Sequence, residues 1–410
     1  MGERVGLVLS GGGARGAYEA GVLSVLLPEL ERRGQRPTVL VGTSVGALNA
    51  ASLAVDADQS AGQAAGRLVE RWRGWRLKDV FHSIAGWQAP LTALRYLGEV
   101  LGAPGVRLPG LLDPAPLRDS LDRLIDFSAL HRNVRNGTLE CLAVCASPAA
   151  NPRNTVFVEH RGQPDLPSRP TVEYVTTKLS GEHLMASAAI PALFPAVRVQ
   201  RPTGSQGWYY DGCARLNTPL DPALELGVDR LVVIGTHSIA PRPSEFWAGS
   251  EKQPDLADGA LQLLTATLLS PLIDDVRRFG QINELVSGVA AGAVAAHRDT
   301  HRRRPYRQVP YMYIAPATRG AVGDLASQVF RRHYRGLRAF TAPPDLAILS
   351  RLLGGESEQH GELISYLMFA PEFIDQAIEL GSQDAHRWLR RVTGPESPWY
   401  LPSIDTLPNS

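Results

Sequence analysis

The sequence of 410 residues has little cysteine, no excess of charge and no long apolar run. Its three cysteines are too few for a disulfide framework, and no further ligands lie at zinc spacing. Cys141 and Cys145 fall on one face of a strand-like run and are expected in the core. A formal net charge of +1 gives no field that attracts nucleic acid. We therefore expect neither a metal nor a nucleic-acid partner.

No apolar run reaches the ~18 residues that a membrane-spanning helix needs. The best candidate, 286–296, is short, rich in alanine and glycine and followed by a basic cluster, so we interpret it as the end of a buried helix. The first strand-like run begins at Arg4, which leaves no room for a secretory signal peptide. We therefore expect a cytoplasmic protein.

Ser44 lies between Gly42 and Gly46 in the segment GTSVG, after an apolar run at 38–41 and before a helix-like stretch at 47–55. Strand, Gly-x-Ser-x-Gly and helix in this order are typical of a nucleophile elbow, a tight turn that exposes the serine hydroxyl. The helix N-terminus also favours a developing negative charge. The alternative is a serine that only caps a helix between two turn glycines.

A glycine-rich segment, SGGGARG at 10–16, follows the strand-like run 4–9 and opens a helical pattern. It satisfies the G-x-G-x-x-G pattern of dinucleotide-binding folds, but the next strand ends in Gly-Thr-Ser and lacks the acidic residue which that function needs. We therefore expect backbone N–H groups here to bind an oxyanion that forms beside Ser44. Arg15 either adds positive charge there or pairs with a surface carboxylate. The expected donors are Gly11, Gly12 and Gly13.

Asp211 ends an aromatic, strand-like run that begins at Trp208, and it is followed by Gly212 and Cys213. A strand that ends in Asp-Gly is well placed to direct a carboxylate at a site. Asp-Gly is also an ordinary hairpin turn, so these residues alone leave both interpretations open.

Together these motifs resemble the patatin-like phospholipase family over roughly residues 4 to 240. In that family the glycine-rich segment is the oxyanion loop, Gly-x-Ser-x-Gly is the nucleophile elbow, and an Asp-Gly pair supplies the base. The run MASAAIPALFP at 185–195 resembles the family's signature stretch before the aspartate strand. The segments 309–316 and 362–369 look like a later strand and the C-terminal helix of bacterial members. One departure is Cys213, where the family usually has glycine or alanine.

The resemblance implies a Ser–Asp dyad, in which Asp211 takes the proton of Ser44 and returns it to the leaving group. Because a carboxylate is a weak base, burial must raise the pKa of Asp211. Common α/β hydrolases instead use a histidine that follows the acid in the chain, and His237 fits that order. We adopt the dyad and keep a triad through His237 as the alternative.

The resemblance also implies a reaction. We expect a serine acyl hydrolase that cleaves fatty-acyl esters of phospholipids, lysophospholipids or glycerides through an acyl-Ser44 intermediate, without a cofactor. An acyltransferase that uses the same dyad and a catalytically silent lipid-binding protein are the alternatives. Nothing in the sequence indicates an oligomeric state.

Strand-like runs alternate with helical stretches, which predicts an α/β fold with a mainly parallel sheet covered by helices, related to the α/β-hydrolase architecture. We expect a catalytic core at 1–240 and, packed on it, a mostly helical C-terminal region at 241–410 with one added strand near 309–316. The stretch 239–255 is the expected linker or mobile loop, and leucines spaced over 261–276 predict a helix. The predicted core strands are Val5–Leu9, Thr38–Val41, Leu139–Ala146, Thr155–Glu159, Trp208–Tyr210 and Leu231–Gly235.

Residues 67–127 form an insertion that mixes basic and aromatic side chains. Such a mixture suits a lipid–water interface, so peripheral contact with a membrane surface is one interpretation. The other is a helical cover over the sheet, with its tryptophans in the core and its arginines in solvent. The residues concerned are Arg71, Trp72, Arg73, Trp75, Arg76 and Trp87.

Overall fold

The chain forms a central sheet flanked by helices, as seen in a computed structural model that describes residues 3–82, 110, 112–162, 164, 166, 170–213, 219–239, 271–288, 307–334, 358–393 and 397–406. The strands are β1 (Val5–Leu9), β2 (Val39–Thr43), β3 (Cys141–Pro148), β4 (Asn154–His160), β5 (Val172–Thr176), β6 (Val197–Val199), β7 (Gly207–Asp211), β8 (Arg230–Ile234) and β9 (Tyr311–Ile314). The helices are α1 (Gly16–Arg32), α2 (Val45–Val55), α3 (Ala61–Gly74), α4 (Ala115–Leu124), α5 (Phe127–Asn136), α6 (Gly181–Ser187), α7 (Leu220–Glu225), α8 (Pro271–Gly288), α9 (Ala321–Tyr334), α10 (Glu358–Leu367) and α11 (Pro371–Arg391).

The sheet has the strand order β5-β4-β3-β2-β1-β8-β9, and β7 attaches to β3 and carries β6. Its centre is parallel, since β1 pairs in parallel with both β2 and β8, and β2 with β3. Every residue of β1 and β2 is buried. Continuous apolar runs of this kind are expected of strands that are covered on both faces. The predicted, mainly parallel α/β fold is therefore confirmed.

The C-terminal residues belong to the same packed structure. The strand predicted near 309–316 is present as β9, which extends the sheet in parallel beyond β8. Helix α11 packs along α1, where the buried Tyr18 hydroxyl donates to Asp384 at 2.9 Å. The division at residue 240 stays a prediction, because the expected linker 239–255 and most of the predicted helix 261–276 lie outside the described residues.

Six predicted strands are present, β1 with the predicted boundaries and the others with boundaries shifted by one or two residues, while β5 and β6 were not predicted. β6 has only three residues, too few for a period-of-two pattern to stand out. β5 mixes exposed and half-buried positions because it lies at the end of the strand order. Of the helix end expected at 286–296, only residues up to 288 are described.

Candidate active site

Ser44 and the glycine-rich segment leave the sheet side by side. Leu9, the last residue of β1, pairs with Gly42 of β2 in a parallel ladder. Because parallel neighbours end at the same edge, the segment after β1 and the turn after β2 both begin there. Open α/β sheets usually bind their ligands at this edge, outside the carboxyl ends of the strands.

Strand β3 brings Asp211 to the same edge. Along one side, β3 pairs with β4. Along its other side it pairs with β2, and the last pair of that ladder is Thr43 with Cys145. The next residue of β3, Ala146, pairs with Asp211 of the antiparallel strand β7. β7 therefore takes the place beside β3 that β2 leaves at Ser44. This register brings Ser44 and Asp211, which are 167 positions apart in the chain, to adjacent positions at this edge of the sheet.

The backbone at Ser44 has the conformation of a sharp elbow, with φ 55° and ψ −127°. A side chain on Gly42 would place a Cβ 2.5 Å from the backbone of Gly46 and Ala47, and one on Gly46 would come within 2.4 Å of the Leu9 carbonyl oxygen. Only glycine fits at either position. Ser44 itself is a non-glycine residue with a positive φ, which is a strained conformation. Strain of this kind clusters at functional sites.

A second serine, Ser187, holds the backbone of the turn at Ser44 through a hydrogen bond. The N–H of Ser44 donates to Ser187 Oγ at 2.9 Å, and that hydroxyl donates to the Cys145 carbonyl at 2.6 Å. Ser187 ends helix α6 and is fully buried. The sequence indicated no role for it, because nothing in the run 185–195 distinguishes this serine from a core residue.

Asp211 is fully buried, and its two carboxylate oxygens differ. Oδ1 accepts the N–H of Cys213 at 2.8 Å, whereas Oδ2 accepts no hydrogen bond from the described residues. Burial raises the pKa of the carboxyl to about 6, although interactions with Ser44 and Cys213 oppose this. A desolvated carboxylate with one free oxygen is a much better proton acceptor than a solvated one.

The thiol of Cys213 lies beside this carboxylate. Burial, and then the charge of Asp211, raise the pKa of the thiol well above its usual range. Cys141 and Cys145 are fully buried as predicted, and burial raises their pKa values also, that of Cys145 to about 12. None of the three carries the thiolate character that makes a cysteine reactive.

The glycine-rich segment turns directly into α1 through one 3-10 turn, Gly13–Arg15. Gly13 has φ 57° and lines the same pocket as Ser44. Within the described residues, no hydrogen bond uses the N–H of Gly12 or Gly13. Gly11 is fixed through its carbonyl, which accepts a hydrogen bond from Thr236 Oγ1 at 3.3 Å.

The Arg15 side chain is fully buried and bound to the C-terminal helix α10. Its Nε donates to Ser365 Oγ at 2.6 Å, its Nη2 pairs with the Glu362 carboxylate, and its Nη1 contacts the His237 ring. The guanidinium also lies over the Tyr366 ring, 4.7 Å from its centroid. These contacts differ from both predicted alternatives, because the arginine pairs with a carboxylate in the interior.

His237 lies in this arginine cluster. Burial and the nearby Arg15 charge lower the pKa of its ring to about 3, although Glu362 opposes the shift. Among the described residues, no hydrogen bond joins the ring to Ser44 or Asp211. A neutral ring held beside a guanidinium is poorly placed to accept the serine proton.

A buried acid, Glu19, lies under the glycine-rich segment. Its carboxylate accepts hydrogen bonds from Ser10 Oγ at 3.4 Å and Asn49 Nδ2 at 2.8 Å. Asn49 Oδ1 accepts the Trp72 indole N–H at 2.8 Å. Burial without a cationic partner raises the pKa of Glu19 to about 8. The network joins α1, α2 and α3 behind the site.

An apolar pocket of about 770 Å³, open to solvent, leads away from Ser44. Trp72 is buried in its wall, which confirms the core interpretation for this tryptophan, and the half-buried Trp75 packs beside it. Arg71 is held by Asp56 and Ser52, and Trp87 lies outside the described residues. Further apolar lining residues are Leu48, Leu117, Leu121, Leu124, Ile190 and Phe194.

Within the described ranges, no helix has the length and apolarity to cross a membrane. The same part of the chain contains no cluster of three or more His, Cys, Asp or Glu side chains that could hold a metal ion.

The sequence model of the patatin-like phospholipase family matches residues 7–224, more than half of the chain. The match includes the glycine-rich segment, the Ser44 turn and Asp211. The chain therefore belongs to the patatin-like phospholipase family.

Among curated proteins, "Lysophospholipase nte1" of Aspergillus terreus (strain NIH 2624 / FGSC A1156) is 44% identical over 77 residues. That segment is 18% of this chain and 5% of the fungal protein. The chain thus spans a small part of this relative's length.

Solved structures with some similarity include VipD from Legionella pneumophila, at 14% identity and a TM-score of 0.29, with 93% of this chain and 67% of that chain covered. Human GIVD cytosolic phospholipase A2 matches at 12% identity and a TM-score of 0.35, with 93% and 60% covered. The ExoU–SpcU complex from Pseudomonas aeruginosa matches at 16% identity and a TM-score of 0.27, with 97% and 73% covered. At scores this low, nothing about the activity of this chain follows from the likeness.

Proposed function

We propose that this protein is a serine lipid acyl hydrolase, with Ser44 as nucleophile and Asp211 as base. The observation that carries the proposal is the pairing of a strained, glycine-flanked serine with a fully buried carboxylate across the β2–β3–β7 edge. Membership of the patatin-like phospholipase family supports a lipid ester as substrate.

In the acylation step, the Ser44 hydroxyl attacks the ester carbonyl as its proton passes to Asp211. The carbonyl oxygen becomes an oxyanion beside the N–H groups of Gly12 and Gly13, which are free to donate within the described part of the chain. Donors placed in advance for a developing charge typically contribute ~100- to 1,000-fold each. When the tetrahedral intermediate collapses, the proton on Asp211 passes to the leaving alcohol.

In the deacylation step, water attacks the acyl-serine and gives its proton to Asp211. The bond between the acyl carbon and Ser44 Oγ breaks, a fatty acid leaves, and the proton returns to Ser44. A base with a pKa near 6 suits both transfers, because it is ionised at neutral pH and still accepts a proton.

The apolar pocket supports a fatty-acyl substrate. It begins at Ser44 and is lined mainly by aliphatic and aromatic side chains, as ligand pockets usually are. Each methylene buried there contributes roughly 0.8 kcal/mol to binding. Long acyl chains should therefore bind more tightly than acetyl groups.

Arg15 has a positioning role in this proposal. Its bonds to Glu362 and Ser365 tie the glycine-rich segment to α10, and no free N–H of the guanidinium is needed at the oxyanion. Cytoplasmic location and peripheral contact with a membrane stay predictions.

The direct test compares the wild-type protein with Ser44→Ala on vesicles that contain phospholipid and lysophospholipid, with released fatty acid identified by mass spectrometry. We expect release by the wild type alone, and covalent labelling by a fluorophosphonate probe that is lost in Ser44→Ala. Labelling that persists in the variant would place the nucleophile elsewhere. Products that appear only with an added alcohol acceptor would indicate an acyltransferase.

A further inference from the structure

Tyr366, on helix α10, lies at the serine end of the pocket. It lines the pocket together with Ser44 and Gly13, although only 4% of the residue is exposed. Its ring packs against the Arg15 guanidinium, and its carbonyl lies so close to Gly13 that a Cβ there would approach it to 2.2 Å. Tyr366 thus contacts the glycine-rich segment through both its ring and its backbone.

The hydroxyl of Tyr366 has no hydrogen-bond partner among the described residues, although it is buried. A buried polar group without a partner costs about 1–3 kcal/mol, so such groups need an explanation. Burial raises the pKa of the phenol, although the charge of Arg15 opposes this, so the phenol remains a neutral donor.

A second buried atom without a hydrogen-bond partner among the described residues is Asp211 Oδ2. The two atoms are complementary, because the phenol donates a proton and the carboxylate oxygen accepts one. Tyr366 lines the same, mostly apolar pocket as Ser44, so the substrate and water oxygens that enter it are the candidate partners of the phenol.

On the basis of the proposed hydrolase activity, we propose that the Tyr366 hydroxyl is a further catalytic group. It donates a hydrogen bond to the oxygen that leaves the acyl carbon in acylation and to the oxygen that attacks it in deacylation. In acylation the bond from the acyl carbon to the alkoxy oxygen breaks, Asp211 supplies the proton to that oxygen, and Tyr366 keeps its own. In deacylation the water oxygen occupies the same place, so one donor serves both steps.

The test uses two esters with the same acyl chain, one of p-nitrophenol and one of an aliphatic alcohol. Tyr366→Phe removes the hydroxyl and keeps the ring under Arg15. Tyr311→Phe is the matched control, since the Tyr311 hydroxyl is bonded to the Pro402 carbonyl at 2.8 Å, in another part of the sheet. Ser44→Ala reports the proposed activity itself, and thermal melting reports folding.

We expect Tyr366→Phe to lower kcat/KM for the aliphatic ester by ~10- to 100-fold, because an alkoxide needs the donor. For the p-nitrophenyl ester kcat/KM should change by less than about 3-fold, because that leaving group needs no such help. For Tyr366→Phe on the p-nitrophenyl ester, the slow step should then be the attack of water on the acyl-serine. Its kcat should therefore fall, and the pre-steady-state burst of p-nitrophenol should grow. The melting temperature should be unchanged or higher, because an unpaired hydroxyl has been removed.

Equal losses of kcat/KM on both esters, or a marked fall in melting temperature, would overturn the proposal in favour of a packing role. Kinetic constants within twofold of wild type on both esters would also overturn it. An inactive wild type, or an active Ser44→Ala, would instead reject the proposed function and this inference with it.

Discussion

Arg15 and Ser365 lie 350 positions apart in the chain and are joined by a hydrogen bond of 2.6 Å. The arginine belongs to the glycine-rich segment and the serine to α10, which begins well beyond residue 224, where the family match ends. The geometry of the glycine-rich segment therefore depends on the C-terminal region.

Removal of the negative partner of Arg15 should destabilise the protein. Glu362→Gln leaves a buried guanidinium without its carboxylate, which typically costs on the order of 3 kcal/mol. Chemical denaturation measures the free energy of unfolding. The matched control is Asp375→Asn, which breaks an exposed ion pair with Arg73 and should cost less than about 1 kcal/mol. Equal effects of the two substitutions would contradict the role of α10.

Asp211→Asn should lower turnover by ~100-fold or more, because it removes the proton acceptor and keeps the size of the side chain. His237→Ala should cost far less, since that ring contacts Arg15 and Glu362. Steady-state kinetics on one fatty-acyl ester compares the two variants. If the histidine variant proves as inactive as the aspartate variant, the triad is correct and the dyad is wrong.

The rate should follow the ionisation of Asp211. The active form is the carboxylate, and burial raises its pKa to about 6. Catalytic efficiency should therefore rise with pH, reach half its maximum near pH 6 and become constant above pH 7 to 8. A base with the lowered pKa of His237, about 3, would give a flat profile between pH 5 and 8. The profile of kcat/KM distinguishes the two.

The length of the acyl pocket should determine chain preference. Leu124 lines the pocket, so Leu124→Trp should fill part of it. We expect preference among p-nitrophenyl esters to move from long toward short chains, with roughly 0.8 kcal/mol lost for each methylene that no longer fits. Leu285→Trp, at a position that is 68% exposed, is the control for the larger side chain. An unchanged chain-length profile would mean that the acyl chain lies elsewhere.

Glu19 should make the protein less stable as pH rises. Its pKa is raised to about 8 in the folded protein, so folding favours the protonated form. Below about pH 4.5 the carboxyl is protonated in both states. Between that pH and 8 the unfolded state loses its proton first, and the free energy of unfolding falls.

Glu19→Gln removes this titration and keeps the size of the side chain. Its amide oxygen can accept from Asn49 Nδ2, and its N–H can donate to Ser10 Oγ. The variant should gain stability over the wild type from pH 5 to pH 8, by on the order of 4 kcal/mol at most. Denaturation at the two pH values measures the gain. A difference that does not change with pH would show that Glu19 is ionised in the folded protein.

The sequence predicted the parts of the site that depend on local chain geometry. The glycines around Ser44 and the order of strand, turn and helix directly predict the tight turn at Ser44. Contacts over long distances in the chain leave no such pattern. Tyr366 and Ser187 read as core residues on a helix, and only the packing of α10 and α6 gives them their places. Arg15 was singled out, but its partners 347 and 350 positions away were not predictable.

The register of the β6–β7 hairpin has a consequence for how this site can vary. Tyr209 and Asp211 face inward, while Trp208 on the alternate face is 56% exposed. Removing one residue from β7 would exchange the two faces and turn the carboxylate toward solvent. The turn at 200–206 is free of this constraint, because it precedes the pairing with β3. Natural or engineered insertions should therefore be tolerated in that turn and excluded from the four residues between it and the base.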